Sequence, residues 1–405
     1  MYLDEPDELV TLRHDLRAYF AKLLTDDVRE ALADPARSTA ATREVVRTMG
    51  ADGWLGIGWP VEHGGGGRGP MAQLVFFDEV LRAGAPYPMV TLNTVGPALM
   101  RYGTEEQQRR FLPGIVKGEI HFAIGYTEPQ AGTDLASLRT RAVRDGDHYV
   151  VNGNKVFTSG IDVADWVWLA CRTGPDPAAA EGSGGDRPRK HEGISILLVD
   201  TRAAGFSWTP IVTVSQSMTS ATFYDDVRVP VTDRVGPEGG GWRIMTTQLN
   251  HERVTLGANC GLAYELLDGV RDWAAATPVP GGGGRRVIDE PWVQQDLGRA
   301  HARLEAVRLL NWRMAWAMET GEPAPGDSSL VKVAATESLI EVYRLLLGIV
   351  GPAGALPAGS PGAVLAGRLE RAGRQAQINT FGGGVNEVQR EMLAARALGV
   401  GRRAR

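Results

Sequence analysis

The chain has 405 residues, 43% of them apolar and 22% charged, with 43 Lys and Arg against 48 Asp and Glu. That content fills a core and excludes global disorder, and a formal charge of -5 leaves no basic footprint for nucleic acid or an anionic membrane. The two cysteines, Cys171 and Cys260, lie far apart and in no CxxC pair, which excludes a disulfide framework and a thiolate zinc site and suits a reducing cytoplasm.

Asp4, Glu5, Asp7 and Glu8 make the start acidic where a secretory or mitochondrial leader is basic, so no leader is expected. Leu9, Leu12, Leu16, Phe20 and Leu23 recur at three- and four-residue steps and predict an amphipathic helix. Further helices fit Thr42 to Gly50, Met71 to Gly84 and Thr104 to Lys117, giving an N-terminal helical domain over residues 1–122. Near residue 123 the helical spacing gives way to short runs of β-branched and aromatic residues at Trp166 to Cys171, Gly193 to Val199, Phe206 to Val214 and Ala221 to Val229. Asp145-Gly146 and Asn152-Gly153 read as hairpin turns, because both positions tolerate positive φ. The Pro, Gly and charge of Gly174 to Glu192 read as a mobile hairpin loop. A β-barrel-like middle domain over residues 123–235 follows. Helical spacing returns at Trp242 to Ala274, Pro291 to Glu319, Ser328 to Val350 and Asn386 to Leu398, which predicts a C-terminal four-helix bundle over residues 236–405 and an α+β chain overall. Every apolar run is broken by Arg, Glu or His well short of the ~20 residues of a membrane span, so a soluble cytoplasmic protein is expected.

Gly56-Ile57-Gly58 and the glycines 64–67 do not sit in a strand-to-helix turn, so neither cradles a dinucleotide. His63-Gly64-Gly65-Gly66 has the form of an esterase oxyanion loop, but the chain contains no GxSxG nucleophile turn. The seven histidines show no HxxxH or HExxH spacing, and no metal site is implied. Trp166 and Trp168 share one strand face and are expected to fill core. Glu252 falls on the apolar stripe of Met245, Leu249, Leu256 and Ala263. Desolvation there raises a carboxyl pKa and makes a general base, and the plain alternative is a buried carboxylate neutralised by an arginine.

The run Tyr126-Thr-Glu-Pro-Gln-Ala-Gly-Thr-Asp134, followed by Val151-Asn-Gly-Asn-Lys-Val-Phe-Thr-Ser-Gly160, resembles the two flavin-side signatures of the acyl-CoA dehydrogenase family. Met49 to Pro60 resembles its N-terminal segment and Gly384-Val-Asn-Glu-Val-Gln-Arg390 its C-terminal signature, so the likeness spans nearly the whole chain. By that resemblance the protein binds FAD noncovalently and oxidises the α,β bond of an acyl-CoA thioester, with an electron-transfer flavoprotein as electron acceptor. It implies Tyr126 and Thr127 against the flavin ring, Thr133 near the pyrophosphate, Phe157 and Ser159 on the far face near N5, and Gly132 among the cofactor-binding residues. Phe157 replaces the commoner Trp. Arg285, Gly384 and Glu387 complete the implied cofactor set, and Asn250, Arg253 and Gly383 the implied substrate set.

Many members carry the base as a C-terminal-loop Glu, and Gly383 stands in its place here. Leu249-Asn-His-Glu-Arg253 is similar to the isovaleryl-CoA and long-chain branches, whose base precedes an Arg on a helix, so the resemblance assigns the base to Glu252. Gly348 replaces an adenine-side Gln and Val385 a signature Thr. Such incomplete sets resemble heteromeric members, which implies a heterotetramer with a paralogous subunit, or otherwise a homo-oligomer. Three glycines beside the reaction centre leave room for a branched, ring-bearing or long acyl group. The alternatives are a noncatalytic partner subunit and a dehydrogenase or oxidase acting on a carrier-protein thioester.

Overall fold

The computed structural model describes residues 5–174, 189–215, 218–248, 260–321, 323–324 and 326–400. The N-terminal stripe forms helix α1 (Asp7–Leu23), which buries Leu9, Leu12, Leu16 and Phe20. Helices α2 (Asp26–Ala33), α3 (Ser38–Ala51), α4 (Gly69–Ala83), α5 (Gly96–Tyr102) and α6 (Glu105–Val116) follow. α2 escaped the sequence reading because its eight residues offer only Val28 and Leu32 to the core, both partly buried, too short a stripe to stand out. α6 opens with a capping box in which Thr104 and Gln107 satisfy each other's backbone N–H groups.

Among the described residues, eight strands form one sheet: β1 (Phe122–Gly125), β2 (Arg141–Asp145), β3 (His148–Lys155), β4 (Trp166–Arg172), β5 (Ile194–Asp200), β6 (Phe206–Val212), β7 (Met218–Pro230) and β8 (Arg234–Val235). Their order is β6-β7-β3-β2-β4-β5-β8, with β1 parallel to β4 off this path. The sheet is therefore open, which corrects the barrel-like expectation: β6 ends one side and the two-residue β8 the other, and they do not pair. Alternation along a strand reports which face is buried but not whether the outer strands meet. Asp145-Gly146 turns the β2–β3 hairpin as expected. Asn152-Gly153 does not turn; it shifts the register of β3 against β7, with Gly153 at φ +145°. Asn152 Nδ2 donates to Asp226 Oδ1 at 2.8 Å and Asn152 Oδ1 accepts from Asp226 N at 3.0 Å, so the bulge is locked across the strands. The loop reading at Gly174 to Glu192 falls mostly on residues outside the described ones. Its two ends close on each other where Thr173 N donates to Gly193 O at 2.8 Å.

Residues 241–248 are helical, and α7 (Cys260–Ala276), α8 (Pro291–Thr320), α9 (Asp327–Val350), α10 (Arg368–Ala376) and α11 (Asn386–Ala397) complete the chain. α7, α8 and α9 share a core of Leu266, Val270, Leu304, Val307, Leu339 and Leu346, and α11 packs along α9. The blocks are joined by specific bonds. Gln107 Nε2 donates to Thr232 O at 2.7 Å and Arg234 O at 2.9 Å, Arg43 pairs with Asp165 at 3.0 Å, and Arg82 pairs with Asp268 at 2.7 Å.

Candidate functional site

The 126–134 loop leaves β1 and is pinned from below by a buried ion pair. Glu128 is 2% exposed and Lys155 fully buried, and their charged atoms stand 2.8 Å apart. Glu128 also accepts from Arg139 N at 2.6 Å and Thr140 N at 2.8 Å, while Lys155 donates to Tyr126 O at 3.0 Å. Burial opposes ionisation of Glu128, but the Lys155 ammonium and the Thr140 N–H outweigh it and hold the carboxyl below its usual range. Burial pulls Lys155 down from the ordinary lysine value, and Glu128 offsets part of that. Arg172 Nη2, donating to Ala136 O at 2.9 Å, fixes the chain just beyond the loop.

One backbone bond joins the loop to the end of β3: Val156 N donates to Thr127 O at 2.8 Å. The next residue, Phe157, takes φ +60° and is 61% exposed, an unusual backbone and an unusual exposure for an aromatic residue. Thr158 is buried and its N–H donates to Ser220 O at 2.9 Å, and Ser159 Oγ hydrogen-bonds Thr219 Oγ1 at 2.9 Å. Gly132 and Thr133 lie exposed on the same loop. The structure thus brings Tyr126, Thr127, Phe157 and Ser159 together around one strand end. An open backbone loop beside an exposed aromatic ring fits a flat heteroaromatic cofactor with a phosphate arm, such as FAD.

Tyr126 points its side chain inward. Trp168 Nε1 donates to its hydroxyl at 3.0 Å, and the hydroxyl donates to Gln248 Oε1. Trp168 is fully buried, so the expected core role holds; Trp166 packs edge-on against Phe111 with ring centroids 5.2 Å apart. Gln248 is 1% exposed, and among the described residues its Nε2 has no partner.

The C-terminal glycines form a loop ahead of α11, held from α9. Lys332, fully buried, donates to Gly382 O at 2.6 Å and to Gly384 O. Gly383 and Gly384 take φ +66° and +98°. Asn386 Nδ2 donates to Thr336 Oγ1 at 3.0 Å and Ser329 Oγ donates to Gln389 Oε1 at 2.9 Å, while Glu387 lies exposed in the first turn. Arg285 stands apart on the 277–290 loop, paired with Glu290 at 3.0 Å and with its side chain 58% exposed. Glu252, Asn250 and Arg253 lie outside the described residues, as does the whole segment 249–259 joining residues 241–248 to α7. Sequence reading missed Glu128, Lys155, Gln248 and Lys332. Lys332, with Ser329 and Thr336 one turn either side of it on the apolar α9, carried the signal that singled out Glu252: a charge on a face that should be oily.

A cavity of about 250 Å³ lies apart from these groups, between α1, α4, α7 and α8. Arg13, Asp78, Glu79, Tyr264, Arg308 and Asn311 are among the residues lining it. Among the described residues no three His, Cys, Asp or Glu side chains gather to hold a metal, and no helix is long and apolar enough to cross a membrane.

Comparison with known proteins covers the whole chain. The family models for the acyl-CoA dehydrogenase N-terminal, middle and C-terminal domains match residues 6–119, 123–227 and 239–398. Acyl-CoA dehydrogenase FadE26 of Mycobacterium tuberculosis is 51% identical over 397 residues, covering 96% of each chain. FadE29 of the same organism is 49% identical over 403 residues, covering 99% of each. Among solved structures, the ChsE4-ChsE5 complex from Mycobacterium tuberculosis aligns at 51% identity with a TM-score of 0.90, and the Tcur3481-Tcur3483 steroid ACAD at 52% with 0.89, each over 100% of both chains. With three domain models in order and half the residues shared with FadE26 from end to end, this chain belongs to the acyl-CoA dehydrogenase family and is an oxidoreductase of that kind.

Proposed function

We propose that the chain is the FAD-binding, catalytic member of a heteromeric acyl-CoA dehydrogenase that forms a 2,3-enoyl-CoA from a bulky, branched or ring-bearing acyl group. The carrying observation is the pairing of the 126–134 loop with the 156–159 strand end, which sets Thr127, exposed Phe157 and Ser159 around one open face. Tyr126, Thr127, Gly132, Thr133, Phe157 and Ser159 hold the flavin in this reading, and Gly384, Glu387 and Arg285 complete the site, Arg285 from across a subunit contact. When bound, FAD supplies the two-electron acceptor. Glu252 takes the α-proton, Asn250, Arg253 and Gly383 border the acyl group, and an electron-transfer flavoprotein reoxidises the enzyme. The solved relative named a steroid ACAD supports a ring-bearing substrate, and the two-chain ChsE4-ChsE5 complex supports a paralogous partner. The division into 1–122, 123–235 and 236–405 and a cytoplasmic setting belong to the same proposal.

The visible spectrum of the purified chain, alone and with its co-expressed paralogue, before and after anaerobic acyl-CoA, tests the reading. Bound flavin that bleaches is expected. Glu252→Gln should keep the flavin and slow bleaching by about 10²–10⁴-fold, the share a positioned base supplies. Bleaching at the wild-type rate would remove Glu252 from the mechanism.

A further inference from the structure

We propose that Gln248 binds a carbonyl oxygen of the reacting assembly, on the flavin or on the acyl thioester, through its side-chain N–H, and that Tyr126 positions it. This rests on the dehydrogenase reading above. An indole N–H can only donate, so Trp168 Nε1 must give its proton to the Tyr126 oxygen. The single Tyr126 proton then goes to Gln248 Oε1, and the amide is fixed with its NH₂ on the opposite side. That NH₂ is buried and, among the described residues, unpartnered. Native cores leave few such donors, and each calls for an explanation.

The chemistry of the vacant partner follows from the donor. An amide N–H requires an acceptor, and the neighbouring Ile244 and Met245 on the same helical stretch are buried and apolar. Tyr126 opens the loop that faces the candidate cofactor site, so the amide is clamped at the seam between that loop and residues 241–248. A flavin and an acyl thioester both carry carbonyl oxygens, and either would complete the Trp168–Tyr126–Gln248 chain as a fourth member.

Gln248→Glu tests this in the flavin-loaded protein, because the carboxylate keeps the acceptor for Tyr126 and turns the free donor into an acceptor. At pH 8 the variant should lose about tenfold or more in one of two readouts, the scale of one lost hydrogen bond. A weaker FAD dissociation constant, read by flavin fluorescence, assigns the bond to the flavin. A raised KM for a branched acyl-CoA with FAD occupancy and kcat kept assigns it to the thioester. Lowering the pH should restore part of the loss as the carboxyl regains a proton to donate. Tyr126→Phe, which frees the amide to turn, should move the same readout by less. A wild-type-like Glu variant in both readouts, with unchanged circular dichroism, overturns the assignment while leaving the dehydrogenase intact. A wild-type protein that neither holds flavin nor bleaches overturns the reading and the assignment together.

Discussion

Lys155 and Glu128 are joined at 2.8 Å with both side chains shut off from solvent, yet the two are not equally dependent on each other. Glu128 keeps the backbone N–H groups of Arg139 and Thr140 and the Gln130 amide, whereas among the described residues Lys155 has only Tyr126 O besides its carboxylate. Removing one partner of a buried pair costs about 3–5 kcal/mol. Glu128→Gln, which strands the ammonium, should fall at the upper end and Lys155→Met below it, as measured by urea unfolding. Both should release flavin, because the 126–134 loop loses its floor.

Asp78 sets a pH dependence of opposite sign to that of most carboxylates. Burial is the main cause, and Arg13 at 3.5 Å offsets only part of it, leaving the carboxyl pushed up from 3.8 to about 7. Below pH 3.8 both states hold the proton; between there and about 7 only the folded state does, so stability falls as pH rises and levels off above 7. The slope contributed by this one group reaches about 1.4 kcal/mol per pH unit. Denaturation of Asp78→Asn at pH 5 and pH 8 should show a smaller loss across the interval than the wild type.

Helices that bury a regular stripe were legible: α1, α4, α6, α8, α9 and α11 fall within a few residues of their expected spans. The two quoted runs, 126–134 and 151–160, were legible as motifs, and the structure joins them through Val156 N and Thr127 O; the flavin contacts assigned to them belong to the proposal above. What escaped depends on partners distant in sequence. Nothing local in Asn152-Gly153 distinguishes a turn from a bulge; a Cβ at Gly153 would stand 2.7 Å from Thr140 Oγ1, and Asp226 supplies the lock from another strand. Gln248 reads as an ordinary polar residue until Tyr126, 122 positions earlier, is seen to fix its amide.

Gly384→Ala should destabilise the C-terminal loop. At φ +98° an L side chain is strained, and its Cβ would approach Gln389 Nε2 to 2.8 Å while Gln389 is buried and held by Ser329. A loss of about 1–3 kcal/mol is expected by thermal unfolding, with weaker flavin retention.

Lys332→Met should loosen the same loop by another route. The Gly382 and Gly384 carbonyls lose their common donor. The expected mark is faster amide hydrogen exchange across residues 381–386, with the α7–α9 core still protected.

Because the sheet does not close, the chain must keep its outer strand from recruiting another. β6 carries Pro210 opposite Ser220, and proline has no N–H to offer an incoming strand. The far side ends in the two residues of β8. Both outer strands thus carry a feature that discourages edge-to-edge addition, a proline within β6 and the shortness of β8.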